Sequence, residues 1–499
     1  MDPGAGHQAK ARHLGSRTVG VDIERHDDVK KTTADRIQHL SPEERAARGR
    51  AARSKTPRSG HAQWSQADRQ HGPLELLAAQ AATRVPDLVP IRHGRMAASP
   101  FAYYRGAASP MAADLSSLPR TGLDVQLCGD AHLSNFGGFA SPERALVFDI
   151  NDFDETNPGP FEWDVKRLAA SLEVAARSKD FATRLRREIV AKSVRSYRES
   201  IQVLATQRHL DVWYSRLDAA GIVARWGGTA QGDIVAKFQR AVGKAQTKDR
   251  LKAQAKLTHE VDGEPRIISD PPLIVPVEEL LSDIDARQVE NTIHEALRSY
   301  RRSLPGDRRR LLERYRFVHL AQKVVGVGSV GTREWVALLL GRDENDPLFL
   351  QVKEAEASVL ERFLGKSGYT NHGQRVVEGQ RLMQAASDIL LGWTQATEGD
   401  GLKRDYYIRQ LWDWKASADV DSISPDVLAI YGQMCGWTLA RAHACSGDAI
   451  AIGSYLGETE SFDRAITEFA GAYADQTDKD HRAFVDAIAA GAIKARSGL

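Results

Sequence analysis

Between Val324 and Glu354 the chain runs VVGVGSVGTREWVALLLGRDENDPLFLQVKE: a glycine loop, a run of strand formers, the turn-rich GRDENDP and a second apolar run. Short runs rich in β-branched and large apolar residues, bounded by glycine and Asp/Asn/Pro turns, commit this segment to an antiparallel meander. Elsewhere the period is helical. DVKRLAASLEVAAR, at 164 to 177, gathers Val165, Leu168, Leu172 and Val174 to Ala176 on one broad face, and PDVLAIYGQMCGWTLARAHACSG is a long amphipathic helix with a glycine stop. Separation of a meander from long helices is the mark of the α+β class.

The pattern predicts further elements. VQLCGD, at 125 to 130, and ALVFDINDF, at 145 to 153, are expected to be partner strands, and KLTHEVDGEPRIISDPP a hairpin turning at Asp262 and Gly263. Residues 276 to 322 and 374 to 386 have helical period, DILLGWT and DYYIRQLWDW are two more expected strands, and the chain beyond 460 is expected to form two helices. Residues 1 to 40 are polar and read as a disordered tail. RAARGRAARSKTPRS, which follows, reads as a solvated helix face ending at Pro57.

Composition narrows the partners. The 499 residues suffice for about three domain-sized units or two large ones. Lys and Arg number 68 against 66 Asp and Glu, so a net charge of +2 gives no electrostatic footprint for nucleic acid. No apolar run approaches the roughly 18 residues of a membrane span, and the start MDPGAGHQAKARHLG lacks the apolar core of a signal peptide, so a cytoplasmic address is expected. Cys128, Cys435 and Cys445 are dispersed and form neither a disulfide framework nor a zinc-binding spacing. A small-molecule ligand remains the expected partner; the oligomeric state stays open.

Two constellations carry chemistry. In CGDAHLSNFGGF, Asp130 stands at a strand end with Asn135 five positions on, the spacing of a kinase catalytic loop, where the Asp accepts a hydroxyl proton and the Asn holds magnesium. A second metal carboxylate is expected from the next strand, with Asp152 preferred to Asp149. Asp149, Asp152, Asp154 and Glu155 crowd one short segment, which costs repulsion unless cations face them. A two-metal phosphoesterase would also use a GDxH string, but the chain has no DxH upstream of it and no GNH with an acid downstream. Asp130 and Asn135 could alternatively serve as ordinary turn and cap residues.

The second constellation is GVGSVG, with Gly326, Gly328, Ser329 and Gly331. A dinucleotide fold would demand a helix directly afterwards, and a Walker loop would need Lys and then Ser or Thr after Gly331, where Thr332 and Arg333 stand. A glycine loop between strands, followed by LFLQVK with a lysine ending the next strand, suits a cover over ATP phosphates. Lys353 is then the phosphate-binding lysine, Glu378 its expected acidic partner and Glu361 the reserve; a snorkelling strand-end lysine is the alternative. His132 and Arg105, in AHLSN and YYRGAA, are further candidates for positioning substrate or binding acceptor or phosphate, beside plain packing and ion-pair roles.

CGDAHLSNFG, NDFDE and SPFAYYRGAA resemble blocks of a bacterial family, domain of unknown function 2252, and the resemblance runs from about residue 41 to the C-terminus. The catalytic-loop block is also similar to aminoglycoside and choline phosphotransferases, in which HGD is followed by Asn, an Asp on the next strand and an Asp opening a helix. Asp130, Asn135, Asp152 and Asp164 match, and Cys128 replaces the histidine. The order of the pieces differs, because the glycine loop and lysine follow the catalytic loop. Together these resemblances imply an α+β, two-lobed, protein-kinase-like fold, circularly permuted, with a largely helical insertion. The implied parts are a large-lobe portion at 41–180, a mainly helical region at 181–315, a small lobe at 316–415 and returning helices at 416–499. The implied activity is ATP- and magnesium-dependent phosphoryl transfer to a small-molecule hydroxyl. A non-catalytic nucleotide-binding regulator or an AMP transferase on the same fold are the alternatives.

Overall fold

The computed structural model describes residues 39–498 apart from 229–233, 248–249, 281–285, 325, 399, 412–413, 417–418 and 421. The expected tail falls almost wholly outside the described residues. Met1–Ser41 and Pro42–Leu499 are separate units, and the fold is that of the second.

Its larger sheet is antiparallel. Strands β1 (Asp124–Leu127), β2 (Phe136–Ala140), β3 (Leu146–Ile150), β4 (Asn157–Pro160), β5 (Leu217–Asp218), β6 (Thr258–Val261) and β7 (Glu264–Ile267) belong to smaller sheets. Strands β8 (Ile274–Pro276), β9 (Arg316–Lys323), β10 (Glu334–Leu340), β11 (Pro347–Ala355), β12 (Gly392–Thr397) and β13 (Lys403–Gln410) form one sheet in the order β12-β13-β11-β10-β9-β8. The expected meander is therefore present as β10 and β11, joined at the GRDENDP turn, where Gly341 N donates to Asp346 O at 2.9 Å.

Both faces of this sheet are covered, which is why its central strands are apolar throughout. Alternation along β11 sends Leu348 and Leu350 to one face, under Tyr300 and Leu304 of the Ala286–Ser303 helix and its end. The opposite face carries Phe349, packed with Leu257 and Ile267 of the Arg250–Leu257 helix and the β6–β7 hairpin. Gln351 and Lys353 fall on that second face, and this parity aims Lys353 at the acidic loop described below.

The helical body has its own core. The Glu162–Arg177 helix is buried along almost its whole length, and the Thr183–Ala205 and Pro425–Ser446 helices pack across it. Their close approach needs glycine: a Cβ on Gly436 would lie 2.3 Å from Ser193 O, and Ser193 Oγ donates to Gly432 O at 2.7 Å. The first helix of the region from 181 is thus part of this central core.

Four expectations are corrected. β1 pairs with β4, while β3 pairs with β2, so VQLCGD and ALVFDINDF are not partners. RFVHLAQK is strand β9 rather than helix; Phe317, Leu320 and Ala321 satisfy a helical period as well, and a run of eight cannot separate the two. Beyond 460 a single helix, Ser461–Ala489, replaces the expected two. The arginine-rich segment forms the Pro42–Lys55 helix but is not merely solvated: Arg53 Nε donates to Tyr455 O at 2.8 Å, and Arg58 to Leu456 O, at the C-terminus of the Ala449–Leu456 helix. Cations belong at that end because its last carbonyls lack intrahelical donors. The hairpin at Asp262 and Gly263 forms as expected, both residues having positive φ.

Candidate active site

The loop after β1 is shaped by Asp164 in the first turn of the Glu162–Arg177 helix. Its carboxylate accepts from Cys128 N at 2.8 Å and Gly129 N at 3.1 Å, and His443 Nε2 stands 3.3 Å away. Gly129 has φ +84, and a Cβ there would lie 2.2 Å from Glu155 O. Glycine is therefore what lets the loop press against the acidic segment. Beyond it the chain winds around the carbonyl of Asp130, which accepts from His132 N at 2.7 Å and from Asn135 Nδ2 at 2.9 Å.

Asp130 Oδ1 accepts from both Nε and Nη2 of Arg167, at 2.8 and 2.6 Å, and Arg167 lies over the Tyr104 ring. Burial pushes the Asp130 carboxyl above its ordinary range, against the pull of Arg167 and Arg105. His132 Nε2 is 3.7 Å from Asp130 Oδ2, and burial, with Arg105 and Arg167 nearby, holds the imidazole neutral. The arrangement is a half-buried, oriented carboxylate with one oxygen tied to arginine.

Asn151 N donates to Asn135 O at 2.8 Å, so the acidic loop begins where the Asp130–Asn135 loop ends, and Asp152 is one residue on. Asp152 Oδ1 accepts from Asp154 N at 3.1 Å; burial, then repulsion from Asp154, raises its pKa. Asp154 Oδ2 takes Lys353 Nζ at 2.7 Å, and its Oδ1 takes the Tyr407 hydroxyl at 2.6 Å. Burial opposes the charges of this pair, but each holds the other ionised: Lys353 is raised well above, and Asp154 lowered below, its ordinary value. Lys353 is thus paired with Asp154 and not with Glu378. Glu378 makes a helical i,i+3 pair with Arg381 at 3.1 Å, because the face of the His372–Met383 helix turned to the acidic loop carries Arg375 and Gly379. Glu361 faces Arg375 at 3.8 Å.

Asp149 stands apart from this cluster. Its carboxylate accepts from Ala385 N and Ile150 N, at 2.8 and 2.9 Å, and serves as a buried clasp. Arg375 is a second clasp that the sequence did not single out, donating to the carbonyls of Thr156, Asp154 and Glu356 at 2.6 to 2.8 Å. Glu155 completes the segment. Its Oε2 accepts from Val359 N at 2.7 Å, and burial raises its pKa to about 7.

The glycine loop closes over the far side. Gly326 and Gly331 have positive φ, Thr332 Oγ1 donates to Ser329 O at 2.7 Å, and a Cβ on Gly328 would lie 3.3 Å from Arg105 O. Arg105, whose charge reaches Asp130 and His132, therefore links that loop to the Asp130 loop. Gly328, Arg105, Asp130, Asn135, Asp152 and Lys353 belong to one connected cluster.

A cavity of about 800 Å³ opens beside it, sharing Asn151, Gln351 and Arg409 with the network around Lys353. Arg409 donates to Asn151 O at 2.9 Å and to Gln351 Oε1 at 3.0 Å. Among the described residues, five basic side chains line the cavity, Arg144, Arg250, Lys323, Arg409 and Lys415, against one acid, Asp388. Burial and the neighbouring Arg409 and Lys353 lower the Lys415 ammonium to about 8. The volume and charge suit an anionic ligand of nucleotide size.

Among the described residues no group of three or more His, Cys, Asp or Glu is arranged to hold a metal alone. Asp152 and Asn135 offer two oxygen donors, which suits magnesium held mainly by substrate phosphates and water. Among the described residues, no helix is long and apolar enough to cross a membrane.

No curated protein and no solved structure matches the chain. A family model does match, over residues 84–487, a span that holds Asp130, Asp152, the glycine loop and Lys353. The chain belongs to that family, DUF2252, described as an uncharacterized protein conserved in bacteria.

Proposed function

We propose that this protein is an ATP-dependent phosphotransferase acting on a small-molecule hydroxyl, with its kinase-like parts in permuted order. The observation that carries the reading is the bond from Lys353 to Asp154, which brings the sheet bearing the glycine loop onto the loop bearing Asp152. The nucleotide occupies the cationic cavity, with its phosphates along Arg409 and Lys353 toward the glycine loop. Asp130 accepts the acceptor hydroxyl's proton through the oxygen not tied to Arg167. Asn135 and Asp152 would hold magnesium, which would supply neutralisation of the charge on the transferring phosphoryl group. Catalysis is chiefly positioning and electrostatic stabilisation, without a covalent enzyme nucleophile.

Incubation with γ-labelled and α-labelled ATP and a bacterial metabolite extract tests this. Transfer of the γ label alone supports it; transfer of the α label identifies an AMP transferase; binding of intact ATP without either identifies a regulator.

A further inference from the structure

Behind the glycine loop lie two arginines that the proposed reaction does not use. Arg84 precedes the Val89–Ala97 helix and Arg92 lies within it; they are 7% and 0% exposed. Val85 N donates to Gly331 O at 2.8 Å, Arg84 Nη1 donates to Val330 O, and the Arg84 side chain would touch a Cβ on Gly331. Arg92 Nη2 donates to Gly106 O at 2.8 Å, one residue past Arg105, and to Gln80 Oε1 at 3.0 Å.

These bonds leave donors over. Among the described residues, Arg84 Nε, Arg92 Nε and Arg92 Nη1 are buried with no hydrogen-bond partner. Arg92 also lies in the field of Arg84, which burial makes more costly, and the acids that offset these charges electrostatically are Glu356, Glu155, Asp154 and Glu354 for Arg84 and Glu155 for Arg92. Buried charged donors without acceptors are rare because water is lost and nothing replaces it. Two adjacent guanidinium forks with spare N–H groups match an oxyanion that carries two charges and several acceptor oxygens.

We propose that Arg84, Arg92 and the glycine loop form a binding subsite for a phosphoryl dianion. The subsite rests on the phosphotransfer reading only for the source of that group, which is either the donor's terminal phosphate or a phosphate already on the acceptor.

Calorimetric titration of the full chain with inorganic phosphate, at constant ionic strength in chloride, tests the subsite without nucleotide or turnover. The wild type is expected to bind phosphate, and Arg84→Gln and Arg92→Gln to bind it at least about tenfold more weakly. Arg84→Lys, which keeps the charge but not the fork, is expected to recover part of the affinity and provides the comparison if Arg92→Gln fails to fold. Absence of phosphate binding by the wild type, or binding unchanged in folded Arg84→Gln, overturns the proposal. Repeating the titration with ADP or a non-hydrolysable ATP analogue bound distinguishes the sources, both of which support the subsite. Loss of phosphate uptake only with the analogue assigns the site to the donor's terminal phosphate, and retention with both assigns it to the acceptor. Phosphate binding by a chain that takes up no ATP would leave the subsite standing while removing the phosphotransfer reading.

Discussion

Lys353 Nζ lies 2.7 Å from Asp154 Oδ2, joining the larger sheet to a loop 199 residues earlier in the chain. The lysine side chain is 3% exposed and that of Asp154 30%, so the ammonium cannot turn to water if its partner is removed. Asp154→Asn is expected to lose about 3–5 kcal/mol of unfolding free energy, the cost of stranding the buried Lys353 charge. The double variant Lys353→Met/Asp154→Asn is expected to recover part of that loss. A denaturant-unfolding double-mutant cycle checks both; equal stability of the single and double variants would contradict a coupled pair.

Arg167 is the cation that most directly opposes the effect of burial on Asp130. In the proposed mechanism Asp130 works ionised. Arg167→Met is therefore expected to raise the Asp130 pKa further and move the acidic limb of the activity profile to higher pH, whereas Arg167→Lys should move it less. A pH–kcat/KM series reads this directly, and a limb that does not move in Arg167→Met would remove Asp130 from the titration.

Glu155 sets a second pH dependence. Its folded pKa of about 7 lies above the ordinary 4.5, so the folded state binds the proton more tightly than the unfolded chain. Its favourable contribution is complete below the unfolded pKa and fades as pH rises through about 7. Glu155→Gln keeps an oxygen for Val359 N and removes the charge. Relative to the wild type, this variant is expected to gain stability between pH 5 and pH 8, by up to about 3 kcal/mol. A melting-temperature difference that stays flat across that interval would contradict the assignment.

Gly129 and Gly365 separate steric cost from backbone cost. Both have positive φ, but a Cβ on Gly129 meets Glu155 O at 2.2 Å, whereas one on Gly365 meets nothing within 4 Å. Gly365→Ala is expected to cost about 1–2 kcal/mol from the left-handed backbone alone. Gly129→Ala is expected to cost more and to abolish transfer, because the loop carrying Asp130 must move. Comparable melting temperatures for the two variants would contradict this difference.

The local parts of the candidate site could be read from short spacings: Asp130 with Asn135, the acids from Asp152, and the strand-end Lys353. The partners could not. Arg167 reaches Asp130 across 37 positions, and Arg375 reaches Asp154 across 221. Helical placement makes Glu378 a suitable partner for Lys353, yet the buried face of its helix belongs to Arg375. Strand β2 was missed because FGGFA carries two poor strand formers. Their lack of side chains has a packing reason, since a Cβ on Gly137 would lie 2.5 Å from Ala416 O and Gly138 exchanges both backbone hydrogen bonds with Ala416. Sequence period recovered the helical core because burial there is continuous, and failed where a short run fitted helix and strand alike.

The central claim is that Asp130 is the base of a phosphoryl-transfer site. Transfer of γ-labelled phosphate to the acceptor, measured alongside magnesium–ATP binding in the wild type and in Asp130→Asn, tests it most directly. Asparagine retains an oxygen for Arg167, so ATP affinity is expected to change little while transfer falls by about 100-fold or more. Transfer by Asp130→Asn at the wild-type rate, or a wild-type protein that binds no magnesium–ATP, would contradict the account.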